Sequence, residues 1–125
     1  MSPGANTVLV VDDDAAVRAS LKFALEVEGF QVKLYDRGKA LLADTNLPKR
    51  ACLVVDQRMP DIDGIDLIEW LRSQNVTLPA ILIHGRVTKQ LRMLAQRLGV
   101  AAVLEKPLFD SVLVESIRTA LASRV

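Results

Sequence analysis

Apolar positions along this chain follow two rhythms that alternate from one end to the other. Residues 8–11 (Val8, Leu9, Val10, Val11), 52–55, 80–83 and 100–104 are unbroken apolar runs rich in branched side chains. Lacking two-residue alternation, they predict central strands covered on both faces. Residues 30–34 (Phe30, Gln31, Val32, Lys33, Leu34) instead alternate apolar with polar, which predicts a half-exposed strand at a sheet edge.

Between the strands the apolar spacing becomes helical. Val17, Leu21, Ala24 and Leu25 follow a candidate N-cap at Asp14, and Gly29 closes the segment. Further helices are expected at 38–43, 64–73, 89–98 and 110–122, with Thr88 and either Phe109 or Asp110 as N-terminal boundaries. Each crossover is long enough for a right-handed βαβ unit. The expected fold is α/β, a doubly wound, flavodoxin-like, five-stranded parallel sheet in strand order 2-1-3-4-5 with five helices.

Composition narrows the classes. A length of 125 residues favours a single domain over 1–125, with an ordered core over about residues 6–123. No internal repeat or linker is visible. Charged residues make up 25% of the chain and cancel to +1, so no global field recruits nucleic acid or an anionic membrane. No apolar run approaches the roughly 20 residues that span a bilayer, and residues 1–6 lack the charged start of a signal peptide; a cytoplasmic protein is expected. The single Cys52 lies in an apolar run and reads as a small buried hydrophobe.

In open α/β sheets the ligand crevice lies beyond the carboxyl ends of the strands. In this chain those ends are polar: Asp12, Asp13 and Asp14 follow the first run, Asp56 the third, His84 the fourth, and Glu105, Lys106 and Pro107 the fifth. Singly, each aspartate could cap a helix or open a turn. Together they point to a site. Carboxylates about 4 Å apart repel by roughly 4 kcal/mol at an effective dielectric near 20. Asp12, Asp13 and Asp56 against Lys106 leave a local charge of −2, which a divalent cation would neutralise. Hard oxygen ligands favour Mg²⁺. Asp56, standing alone at its strand end, is the candidate nucleophile toward phosphorus, and Lys106 would neutralise a phosphoryl oxygen.

Three motifs carry a family likeness: Val10-Val11-Asp12-Asp13 with Arg18 after it, Asp56-Gln57-Arg58-Met59-Pro60-Asp61-Ile62-Asp63-Gly64, and Lys106-Pro107. In their order and spacing, over essentially the whole chain, the sequence resembles the CheY-like receiver domain of two-component response regulators. The second motif is especially like receivers that precede transcriptional output domains. The resemblance implies a phosphoryl transfer from a sensor histidine kinase or phosphotransfer protein to Asp56, in a signalling phospho-acceptor rather than a true enzyme. It implies Mg²⁺ held by Asp13, Asp56 and the backbone carbonyl of Arg58, with Asp12 acting mainly through water on the metal. Lys106 would contact the phosphoryl group, its bond to Pro107 would be cis, and self-catalysed hydrolysis would reset the domain. Signalling would pass through the face of the fourth helix, fifth strand and fifth helix, to an output domain or protein or through a homodimer.

Two positions depart from that pattern. His84 stands where the family has Thr or Ser, and Val103, three residues before Lys106, stands where it usually has an aromatic. One expectation is that the His84 ring N–H donates to phosphorylated Asp56, making phosphoryl lifetime depend on pH near the imidazole's usual value of about 6.5. The alternative is an atypical receiver, a phosphorylation-independent interaction module. A Mg²⁺-dependent phosphatase is a third reading, which Asp12, Asp13 and Asp14 satisfy only trivially.

Weaker signals are read as structural. Arg86, Lys89, Arg92 and Arg97 are expected on a solvated face, and Trp70 packed against the sheet as a fluorescent reporter of folding. With no room after the last helix for a DNA-reading domain, specific nucleic-acid binding by this domain alone is not expected.

Overall fold

The computed structural model describes residues 7–123; the readings made on residues 1–6 lie outside them. The elements run β1 (Thr7–Val11), α1 (Ala15–Val27), β2 (Gln31–Tyr35), α2 (Gly38–Ala43), β3 (Cys52–Asp56), α3 (Gly64–Ser73), β4 (Ala80–His84), α4 (Lys89–Arg97), β5 (Ala102–Glu105) and α5 (Asp110–Ala122). All strand pairs are parallel, in the order β2-β1-β3-β4-β5. The doubly wound, flavodoxin-like sheet expected from the apolar rhythm is thus the fold observed.

Strand alternation divides the interior into two cores. Leu9, Val11, Leu53, Val55, Ala80 and Leu82 face Leu41 of α2, Ile65, Leu67, Ile68 and Leu71 of α3, and Leu91 and Ala95 of α4. Val8, Val10, Cys52, Val54, Ile81 and Ile83 face Leu21 and Leu25 of α1 and Leu113, Ile117 and Ala120 of α5. Each fully buried Leu or Ile contributes about 1.5–3 kcal/mol relative to exposure. Cys52 is a free, buried thiol whose burial pushes its pKa up to about 12.

Caps fix the helix ends from which the site is built. Asp14 Oδ1 accepts from the backbone N–H groups of Ala16 (2.9 Å) and Val17 (3.2 Å), starting α1. Thr88 Oγ1 accepts from Leu91 N at 3.1 Å, starting α4. Gly29 closes α1 at φ +94°, a conformation most residues avoid.

Three expectations need correction. The run 100–104 was expected to be a central strand, but β5 is the second edge, and Ala102, Val103 and Leu104 are only half-buried. Its first residue serves the preceding helix, since Val100 N donates to Ala95 O at 2.9 Å. Phe30 likewise closes α1, donating to Leu25 O, so the alternating edge strand begins at Gln31. Trp70 does not pack against the sheet: it is 47% exposed, because Ile65, Leu67, Ile68 and Leu71 already fill the buried stripe of α3.

Candidate functional site

The carboxyl ends of β1, β3, β4 and β5 meet at one rim. Asp12 follows β1 and Asp56 ends β3; these are the two buried charged residues among the described residues. Asp13 is exposed beside them, and carboxylate oxygens of Asp12, Asp13 and Asp56 all lie within 4.8 Å of one another. Lys106 Nζ lies 3.1 Å from Asp56 Oδ1. That ion pair lacks hydrogen-bond geometry, leaving Asp56 Oδ1 buried without a hydrogen-bond partner. A buried carboxylate oxygen normally has one, so this atom is set up to take an external partner.

Hydrogen bonds hold each group in place. Asp12 Oδ1 accepts from Asp14 N at 2.9 Å, and Arg18 Nη1 donates to the Asp12 carbonyl at 2.7 Å, tying the acidic turn to α1. Burial raises the Asp12 pKa against the Asp14 hydrogen bond, and the nearby Asp56 charge adds to the rise. After Asp56, Gln57 N donates to Ile83 O at 2.8 Å, while the Gln57 carbonyl and side chain accept from Gly64 N (2.9 Å) and Ile65 N (2.8 Å). The loop from β3 is thereby closed onto the start of α3. Gly64 is required there: a Cβ would stand 2.6 Å from the Asp56 carbonyl oxygen and 2.9 Å from Leu82. Asp61 reaches the other way, accepting from Lys39 N at 2.8 Å and Gly38 N at 3.4 Å at the start of α2.

Above the carboxylates lies an open cleft of about 610 Å³ lined by Asp13, Gln57, Arg58, Met59, Pro60, Asp63 and His84. His84 is half-buried, and its carbonyl accepts from Lys106 N at 2.9 Å. Val103 packs partly against the core on the α3 and α4 face. The Lys106–Pro107 peptide is cis. The structure therefore brings together Asp12, Asp13, Asp56 and Lys106, with Arg58 and His84 on the cleft wall. The donor set, three carboxylates with one buried oxygen that makes no hydrogen bond, suits a hard divalent cation. Glu105 is named in the sequence only as part of a polar strand end and Gln57 only as part of a motif, with no role given to either; both act through contacts between elements that no local pattern encodes.

The family model for the response regulator receiver domain matches residues 8–118. The chain belongs to this family. Among curated relatives of this receiver domain is the transcriptional regulatory protein FixJ of Rhizobium meliloti (strain 1021), 37% identical over 114 residues, covering 91% of this chain and 56% of that protein. The transcriptional regulatory protein DctD of C4-dicarboxylate transport from Pseudomonas aeruginosa is 37% identical over 117 residues, covering 94% of this chain and 25% of that protein. Among solved structures, FixJ-N superposes with a TM-score of 0.84 at 36% identity and 95% coverage of both chains. The receiver spans about half the length of the FixJ relatives it matches. Phosphorylation on an aspartate and Mg²⁺ binding at an acidic pocket are general to receiver domains, and the family serves phosphorelay signalling.

Proposed function

We propose that Asp56 is the phospho-acceptor of this receiver, and that residues 1–125 work as a single signalling domain. The observation that carries this reading is the buried Asp56 Oδ1, ion-paired with Lys106 at 3.1 Å but without a hydrogen bond, beside the Asp12 and Asp13 carboxylates. A carboxylate oxygen of Asp56 attacks the phosphorus of a phosphohistidine on a sensor kinase or phosphotransfer protein. The phosphorus–nitrogen bond breaks, the imidazole leaves and takes up a proton, and an aspartyl phosphate remains. Water later attacks the same phosphorus, releasing inorganic phosphate and restoring the carboxylate.

Lys106 neutralises a phosphoryl oxygen as the charge on Asp56 grows, a role suited to a flexible ammonium that is partly exposed at the rim. Asp12, Asp13, Asp56 and the Arg58 carbonyl would hold Mg²⁺, which when bound supplies charge neutralisation to the transferred group. Arg18 and the Asp14 N–H keep Asp12 turned into the site. The His84 ring, on the cleft wall, offers an N–H to the phosphorylated residue in place of a hydroxyl.

Readout passes through the surface of α4, β5 and α5, to an output domain or protein or to a second copy. Exposed apolar side chains on that side, Met93, Leu94, Phe109 and Val112, support this placement. No helix among the described residues is long and apolar enough to cross a membrane, and we place the domain in the cytoplasm with its kinase. The deciding experiment supplies acetyl phosphate with Mg²⁺. An acid-stable, base-labile adduct is expected in the wild type and absent in Asp56→Asn; an adduct persisting in the variant overturns the assignment.

A further inference from the structure

The loop between β4 and α4 is held at two points. At its start, the carbonyl of His84 accepts from Lys106 N at 2.9 Å. Three residues later, Val87 N donates to Glu105 Oε1 at 2.9 Å. Glu105 is the last residue of β5 and the register partner of His84 on β4, so the two side chains leave neighbouring strands on the same side of the sheet. Between the anchors stand only Gly85 and Arg86. Gly85 has open space around the position of a Cβ, and glycine reaches backbone conformations that other residues avoid. Val103, two residues before Glu105 and on its side of the sheet, is a short, half-buried side chain against the core.

We propose that Glu105 is the latch of this loop and His84 its release, which together replace a hydroxyl and an aromatic as the conformational readout of the site. In the unphosphorylated domain the Glu105 carboxylate pins Val87 and sets the entry to α4. When Asp56 carries a phosphoryl group, the His84 ring turns into the cleft and donates N–H to a phosphoryl oxygen. The chain then pivots at Gly85 and Val87 N leaves Glu105. Both hydrogen bonds are charge-assisted, but the Val87–Glu105 bond is exposed and water replaces it at little cost, whereas the new bond forms inside the cleft. Glu105 is a positioning residue in this scheme. It touches no reacting atom, and its effect reaches α4 through the Thr88 cap that follows Val87 directly.

The inference rests on Asp56 being the phospho-acceptor, so the test uses beryllofluoride with Mg²⁺ as the phosphoryl mimic and reads occupancy and latch separately. Fluorine resonances report whether the mimic binds, and amide hydrogen exchange reports Val87. In the wild type, Val87 is expected to be protected without the mimic and to exchange about fivefold faster or more with it, the loss of one hydrogen bond. Glu105→Ala should exchange fast in both states, while Glu105→Gln, which keeps an acceptor oxygen, should restore protection without the mimic. His84→Ala should bind the mimic yet keep Val87 protected. Binding with unchanged protection in the wild type overturns the latch and leaves the acceptor reading intact. Release persisting in His84→Ala overturns the part given to His84. Absence of binding in the wild type removes the acceptor reading itself.

Discussion

Asp56 and Lys106 form an asymmetric pair: Lys106 Nζ lies 3.1 Å from Asp56 Oδ1, with the Asp56 side chain 6% exposed and that of Lys106 41% exposed. The carboxylate is fixed in the fold while the cation can follow a growing negative charge. Lys106→Ala is expected to lose about 1 kcal/mol of stability, the partly exposed pair being discounted for solvent, and to slow phosphorylation. Asp56→Asn should instead gain about 1 kcal/mol in metal-free buffer, because it relieves repulsion with Asp12 and Asp13. Urea titration of both variants checks the opposite signs; stabilities moving in the same direction would count against the charge account.

Mg²⁺ binding and acidity should be coupled through Asp12. Its raised folded pKa means that it holds its proton more readily folded than unfolded. In metal-free protein this contribution favours folding at pH below the unfolded value of 3.8, and it is lost as pH rises through the folded pKa. Mg²⁺ needs the ionised form, so its affinity should fall as pH drops through that raised value, before an ordinary carboxylate would respond. At neutral pH, Mg²⁺ at 100 times its Kd adds about 2.7 kcal/mol of stability. Thermal melts with and without Mg²⁺ over a series of pH values stepped down from neutral should show the increment shrinking. An increment independent of pH would remove the Asp12 linkage.

Gly64→Ala tests the seat of Asp56. The new Cβ would stand 2.6 Å from the Asp56 carbonyl oxygen, 2.9 Å from Leu82 and 3.0 Å from Val55, so backbone as well as side chains must shift. A loss of about 1–3 kcal/mol is expected, together with weaker phosphorylation. Gly85→Ala, with open space around the site of its Cβ, should be much milder. Equal losses in the two variants would contradict the packing argument.

Asp44 should govern part of the acid response away from the site. It accepts from Lys33 Nζ (2.5 Å), Tyr35 Oη (2.6 Å) and Asn46 N (2.9 Å), chiefly the lysine, which hold its pKa at about 2. A depressed carboxylate stabilises the fold above its unfolded value of 3.8, and this support fades as pH falls from there toward about 2. Asp44→Asn should be less stable than wild type at neutral pH, and the gap should narrow across that window. Denaturant midpoints against pH measure it.

Much of this fold is written locally. The apolar runs at 8–11, 52–55 and 80–83 are covered on both faces as their lack of alternation requires, and Asp14, Thr88 and Gly29 mark helix ends through bonds spanning only a few residues. The 100–104 run misleads because an apolar run is compatible with either a central or an edge strand, and only the pairing of β4 with β5 decides. Trp70 misleads because its neighbours in sequence saturate the buried stripe. At the site, Asp12, Asp13, Asp56 and Lys106 are visible as strand-end residues. The bonds of Gln57 to Ile83 and Ile65, and of Glu105 to Val87, join separate elements and are settled by tertiary geometry.

The exposed indole of Trp70 has a spectroscopic consequence. As the single tryptophan of the chain, and nearly half solvated on α3, it should emit at long wavelength in the native state and shift little on denaturation. Its emission is thus a poor gauge of core melting. A protein seated on that flank of α3 would dry the ring and move the emission to the blue, turning an uninformative folding probe into a label-free sensor of encounter.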